Sequence, residues 1–238
     1  MTDSQPMEPA DAFARLGQIK LGETDLKGVL DQVAHLAKRT LPGADEVSVT
    51  LVSNKGASTA AATGQLAVTL DEWQYGHGHG PCLDASASHA TLSLPDMTTE
   101  GRWPDWAAQA LEAGAGSSLS IGLPIHEQVT GALNIYATKP EAFDSDAIIL
   151  GQTFAGYAAV ALANAHLYDT QASLAQQMQA AMQSRAVIEQ AKGIIMGSRR
   201  CTADDAFAIL TKISQDTNRK LRDVAAAVVA SATQDSQT

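Results

Sequence analysis

The sequence predicts an α+β domain, an antiparallel sheet with flanking helices, followed by a long helix and an all-α three-helix bundle. Three observations predict it. Strand-like runs crowd between residues 47 and 137 with helices around them rather than in strict βαβ alternation. From Asp144 the chain reads as helical almost to its end. The charge also divides: residues 1–184 carry 8 basic and 20 acidic side chains, whereas residues 185–222 carry 8 basic and 4 acidic. A length of 238 residues suits one or two domains. With 45% apolar and 18% charged residues, the chain can hold a core and is neither disordered nor fibrous.

Residues 1–22 read as a flexible, polar lead-in with no apolar h-region, hence no signal peptide. From Asp25 to Leu41 the apolar positions Leu26, Val29, Leu30, Val33, Leu36 and Ala37 keep the helical period, and Pro42-Gly43 ends the run. Val47–Val52 alternates with β-branched residues and reads as a strand, stopped by Asn54-Lys55-Gly56, with a weaker strand at Thr59–Thr63. A short helix over Thr69–Tyr75 leads into the glycine-rich Gly76–Cys82, and His89–Leu94 suggests another strand. Pro104 opens a helix through Ala113, since proline suits the first turn. Ser117–Ile125 and Thr130–Ala137 form a hairpin signal around the polar turn His126–Gln128.

Ala147–Tyr168 is 22 residues without a formal charge, long enough to span a bilayer. Its Gln152, Thr153, Asn164 and His166, with Asp146 and Asp169 at the ends, favour a helix buried on the sheet instead. The helix continues through Leu167, Leu174, Met178, Met182 and Ile188, a weak apolar stripe that suits a parallel homodimer. The alternative is a monomer whose stripe folds back on the sheet. Gly197-Ser198 can end the helix, and Thr202-Ala-Asp-Asp205 fits a capping box. Ala206, Phe207, Leu210 and Ile213 then share one face, and Leu221, Val224, Ala225, Val228 and Val229 supply the last buried face, giving a bundle core of Phe207 and aliphatics. The tail 233–238 is polar and frayed.

Cys82 and Cys201 stand 119 positions apart, too few and too far for a disulfide framework, so a reducing, cytoplasmic compartment is expected. Gly76-His77-Gly78-His79-Gly80 could cradle an anion or hold a metal, but it lacks the context of a dinucleotide or P-loop, and His89 is isolated. It reads as a connector over a pocket, and no metal is assigned. No Ser-His-Asp, paired-carboxylate or phosphoryl-transfer pattern stands out, so no catalytic residue is assigned. Trp73, Tyr75, Cys82, Trp103 and Trp106 could line a small-molecule cavity or could equally be packing. The cofactor is unknown.

Arg185–Met196, Ala203–Leu210 and Ser214–Ala225 closely resemble an ANTAR domain, a three-helix RNA-binding module of bacterial transcription antiterminators. Upstream, Trp73-Gln-Tyr-Gly, Gly80-Pro-Cys-Leu-Asp84, Arg102-Trp-Pro104, Ser117–Pro124 and Gly131–Tyr136 followed by Phe143 resemble the GAF domains that precede ANTAR in actinobacterial proteins. The resemblance implies a GAF sensor over 23–165, a connecting helix over 166–184 and an ANTAR domain over 185–232. It implies a dimer that binds paired hairpins in nascent leader transcripts and so prevents terminator formation. Asn54-Lys55 runs into Gly56-Ala57 without the continuation of cyclic-nucleotide-binding members, so that ligand is not supported. No phospho-acceptor receiver domain is apparent.

RNA loops are read by cations on phosphate and side chains on splayed bases. Arg185, Lys192, Arg199 and Arg200 on the first helix of the bundle, with Arg219, Lys220 and Arg222 at the start of the third, are the expected contacts, and Gly193 would let a nucleotide approach the backbone. Small residues there suit helix packing equally well. Two other classes remain: a thiol redox or small-molecule enzyme using Cys82, and a DNA-binding helical regulator on the same basic bundle.

Overall fold

The structure is a computed structural model and describes residues 6–126 and 129–235. It divides into two compact units, Met1–Asp169 and Thr170–Thr238.

The first unit opens with α1 (Pro9–Gly17), α2 (Leu26–Thr40), β1 (Glu46–Ser53) and β2 (Gly56–Ala62). Next come α3 (Gln65–His77), α4 (Pro81–Ser88), β3 (Thr91–Leu94) and α5 (Pro104–Ala113). The hairpin strands β4 (Ser117–His126) and β5 (Val129–Ala137) follow, and then α6 (Ser145–Arg199) begins. The five strands lie in the order β2-β1-β5-β4-β3, and every pairing is antiparallel. Glu127 and Gln128 of the expected turn lie outside the described residues.

Side chains alternate across a strand, so one sheet serves two layers. Val47 and Val49, Leu119, Ile121 and Leu123, and Leu133 and Ile135 pack with α1, α2 and the start of α6 in one apolar core. The intervening residues turn to a second core with α3 and α5, built on Leu70, Leu94, Met97, Trp106 and Tyr136. The α2 helix begins where the Asp25 carboxylate accepts from the Gly28 N–H at 2.8 Å, and Lys38 and Arg39 complement the dipole at its other end.

By length and composition α6 could cross a membrane. One side of its first turns instead packs on the sheet through Phe154, Ala155, Ala158, Ala159, Leu162 and Ala165. Farther along, Leu167, Leu174, Met178 and Met182 are exposed.

The second unit holds the rest of α6 with α7 (Ala203–Thr217) and α8 (Leu221–Asp235). The capping box forms: Thr202 and Asp205 each satisfy the other's backbone N–H, at 3.2 Å both ways. The core is small: Ala191, Ile195, Ala206, Leu210, Val224 and Ala225.

Three expectations need correction. Residues 1–22 are not all a flexible lead-in: α1 buries Ala12 and Leu16, and the Phe13 ring stacks on Tyr157 with centroids 4.9 Å apart. These few apolar residues at helical spacing are hidden among charges in the linear reading. Phe207 is not in the bundle core but 44% exposed, with Ile213 at 40%. Ala206 and Leu210 fill the inward arc of α7, and a core with three alanines draws the helices too close for a phenyl ring. The frayed tail is also shortened, because α8 continues to Asp235; residues 236–238 lie outside the described residues.

Candidate functional sites

The sheet face under α3, α4 and α5 is polar yet buried. Ser48 of β1 pairs with Asn134 of β5, which pairs with Ser120 of β4, and Tyr136 pairs with Ser118. All five are at most 1% exposed, as is Thr50. From α3 comes Asp71, a fully buried carboxyl. It accepts from the Tyr136 hydroxyl at 2.6 Å, the Thr59 hydroxyl at 2.9 Å and Asn134 Nδ2 at 3.2 Å. Burial raises its pKa to about 6, against the opposing pull of hydrogen bonds from Ser48, Tyr136, Thr59 and Tyr75.

Two of the five expected ligand residues touch this network. The Tyr75 hydroxyl lies between Thr50 and Thr59, 2.8 and 3.0 Å from their oxygens. The Cys82 Sγ is 3.8 Å from Thr50 Oγ1. Burial, and then the nearby Asp71 charge, push both the Cys82 thiol and the Tyr75 hydroxyl well above their ordinary values. A buried thiol held in its neutral form is a poor nucleophile.

The three tryptophans are spread more widely. Trp106 is fully buried, its indole N–H directed at the Leu70 carbonyl 3.4 Å away, so it is core. Trp73 and Trp103 are half-buried. Trp73 stacks on His77 with centroids 3.8 Å apart. Trp103 donates to Asp84 at 2.9 Å beneath the Arg102 guanidinium.

The glycine-rich connector is helical only at its two ends. Gly76 and His77 close α3, and Pro81 opens α4, so Cys82 stands in a helix. Gly80 between them has φ +148°, and a Cβ there would collide with the Gln74 side chain, whose oxygen accepts from the Cys82 N–H at 2.9 Å. No group of three or more His, Cys, Asp or Glu among the described residues could hold a metal.

Nothing in the linear sequence singles out the network residues Asp71, Ser118, Ser120, Asn134 and Tyr136. Polar residues inside alternating strands read as a solvent face. Only the apolar positions Ala67 and Leu70 of α3 and Ala107 and Ala110 of α5 hint at a covering layer.

In the second unit, Arg185, Arg199, Arg200, Arg219, Lys220 and Arg222 are all exposed. Lys192 is half-buried and paired with Glu189 at 3.0 Å. Ala191 is taken up by the bundle core, whereas Gly193 is exposed, with nothing near the position of a Cβ. Glycine inside a helix costs roughly 1 kcal/mol relative to alanine, and no neighbouring side chain in this chain requires it.

Arg219, Lys220 and Arg222 crowd the start of α8, the end where a helix favours anions. Arg219 reaches the Asp223 carbonyl at 3.4 Å, and Arg222 its carboxylate at 3.5 Å. Three cations and a helix N-terminus make this end strongly positive.

The family model of the GAF domain matches residues 23–163. The chain belongs to the GAF domain family. The ANTAR domain model matches residues 176–229. An ANTAR domain behind a GAF domain makes an RNA-binding antitermination regulator with a sensory domain. No curated protein matches the chain.

Solved structures agree on the fold of the first unit. The phycocyanobilin-bound GAF domain of a cyanobacterial phytochrome superposes with a TM-score of 0.53 at 14% identity, covering 68% of this chain and 97% of that one. The phycoerythrobilin-bound counterpart gives 0.52 at 13% identity, covering 68% and 97%. Free methionine-R-sulfoxide reductase from Neisseria meningitidis, in complex with its substrate, gives 0.50 at 19% identity, covering 69% and 89%.

Proposed function

We propose that this protein is a cytoplasmic, homodimeric antitermination regulator rather than an enzyme. Its GAF unit (residues 23–165) receives a small molecule or partner, and its ANTAR bundle (185–232) binds paired hairpins in nascent transcripts. The observation that carries the RNA half is the concentration of exposed cations: Arg199 and Arg200 at the end of α6, and Arg219, Lys220 and Arg222 at the start of α8. Exposed Gly193 supports a close approach of nucleotide backbone to α6. Burial of Cys82 argues against the thiol enzyme.

The dimer is formed by a second copy along α6. Val160, Leu167 and Leu174 recur every seven residues, Met178 and Met182 continue the stripe, and all are more than half exposed. A stripe of this period supercoils against another helix. Replacing Leu167 and Leu174 together by Glu is expected to yield monomers in sedimentation; an intact dimer would refute this interface.

The RNA reading is tested with a two-hairpin leader RNA. Affinity should fall steeply with salt, because bound cations displace counterions. Changing Lys192 and Lys220 together to Ala should abolish binding while the helical content stays. Equal binding of a scrambled hairpin would defeat sequence-specific recognition, and tighter binding to duplex DNA would favour the DNA regulator.

A further inference from the structure

We propose that the buried polar face between the sheet and α3–α4 is the sensor's ligand site, and that it takes a small, positively charged N–H donor: a primary amine or a guanidine. This deepens the sensory half of the reading above, and ligand binding alone reads it out, so it can fail while RNA binding stands.

The first observation is three polar atoms without a partner. Ser118 Oγ, Ser120 Oγ and Asn134 Oδ1 are buried, and none has a hydrogen-bond partner among the described residues. The β4–β5 register places them on one face beside Tyr136. Leaving buried polar groups unpaired is costly, and native proteins do so sparingly. Three in one patch, on the strands that face Asp71, mark a place where hydrogen bonds are held in reserve.

The second observation is the sign of the site. Asp71 is the one buried charged residue among the described residues, and no Lys, Arg or His joins it. The titratable groups around it are Tyr136 from β5, Tyr75 from α3 and Cys82 from α4, all held neutral by burial. Glu46, on the same side of β1, is engaged in capping α3 through the Ala67 N–H at 2.9 Å. An anion entering here would meet a carboxyl and no counter-charge. A cation would meet its partner.

The third observation fixes the direction of the hydrogen bonds. Asn134 Nδ2 points at Asp71, Thr50 and Ser48, so the unpartnered end of the amide is its oxygen, an acceptor. Asp71 also accepts, and serine hydroxyls can do so. The patch therefore calls for donors. An ammonium or guanidinium supplies three to five.

The site is closed, since Cys82 and all the polar floor residues are covered. Entry requires α3 and α4 to part at the Gly78–Gly80 turn, where φ is +73° and +148°. A closed majority state lowers apparent affinity by the open fraction, which is how a ligand comes to change the conformation it binds.

The test is calorimetry and thermal shift on the full chain with agmatine, putrescine and methylguanidine, against succinate and acetate as anionic controls. At least one cation should bind and raise the melting temperature, and neither anion should. Because the cation favours ionised Asp71, binding releases a proton. Affinity should rise about tenfold per pH unit below pH 6 and level off above it.

Asp71→Asn should weaken cation binding on the order of thirtyfold or more and remove the pH dependence. The double change of Ser118 and Ser120 to Ala should abolish the ligand response while leaving the free protein as stable or more so. Binding by none of the cations, equal binding by the anions, or an unaltered response in Asp71→Asn would overturn the proposal. So would a free-protein destabilisation in the serine variant, which would mean that internal water already satisfies those hydroxyls.

Discussion

The two faces of the one sheet have opposite chemistry at equal burial. Toward α1, α2 and α6 stand Val47, Val49, Leu119, Ile121, Leu133 and Ile135; toward α3, α4 and α5 stand Ser48, Thr50, Ser118, Ser120, Asn134 and Tyr136. Both sets come from the same three strands at alternate positions. The apolar face stabilises the fold simply by leaving water. The polar face stabilises only as far as its hydrogen bonds are made, and several are not. One face holds the unit together, and the other carries a cost.

Four measurements bear on that contrast. Cys82 belongs to the closed polar side, whereas Cys201 in the second unit is half-exposed. At neutral pH an alkylating reagent should label Cys201 readily and Cys82 only through opening, slower by about three orders of magnitude or more. Prompt labelling of Cys82 would mean that this side is open in solution.

On the apolar face, Phe154→Ala should cost about 3–5 kcal/mol in denaturant unfolding, because its fully buried ring leaves a cavity. A cost under about 1 kcal/mol would show that α6 is not held on the sheet by this side chain.

Asp71 should behave in the opposite sense. Its folded-state value lies at about 6 against 3.8 for the free side chain, so the folded protein keeps the proton longer and stability falls as pH rises through that window. Asp71→Asn should be more stable than the parent above pH 6, by a margin of up to about 3 kcal/mol. The advantage should vanish near pH 4, and an advantage independent of pH would show that ionisation is not its source. Smallest is Ser120→Ala, which should leave stability unchanged or raise it by about 1 kcal/mol, whereas the same truncation of a partnered hydroxyl would lower it.

Much of this architecture is legible in the chain. Proline at the first turn marks α5, which runs Pro104–Ala113 as the spacing predicts, and β-branched alternation marks β1. The hydroxyl and the acid three residues later mark the start of α7, and the cap forms. These signals are local, carried by side chains acting on their own backbone. The failures share the opposite character. Helix α1 was obscured because its packing partner, Tyr157, lies far along the chain. Phe207 was misplaced because helical period shows that a face is apolar, but not how closely the alanines of three helices draw together. The five candidate ligand residues separate in the fold: Tyr75 and Cys82 reach the polar network, while Trp106 is core.

The linear pattern alone supplies most of the elements but neither α1 nor α4, together with the division into an acidic unit and a basic-ended bundle and the family resemblance of both halves. Periodicity, capping residues and charge counts are properties of neighbours along a chain. Only the tertiary structure decided which polar residues are buried, which of them lack partners, and that Asp71 is the charge they surround. A serine in a strand has the same local signature whether it faces water or a helix. The difference arises when α3 closes over the sheet and removes the solvent, and no stretch of sequence taken alone contains that event.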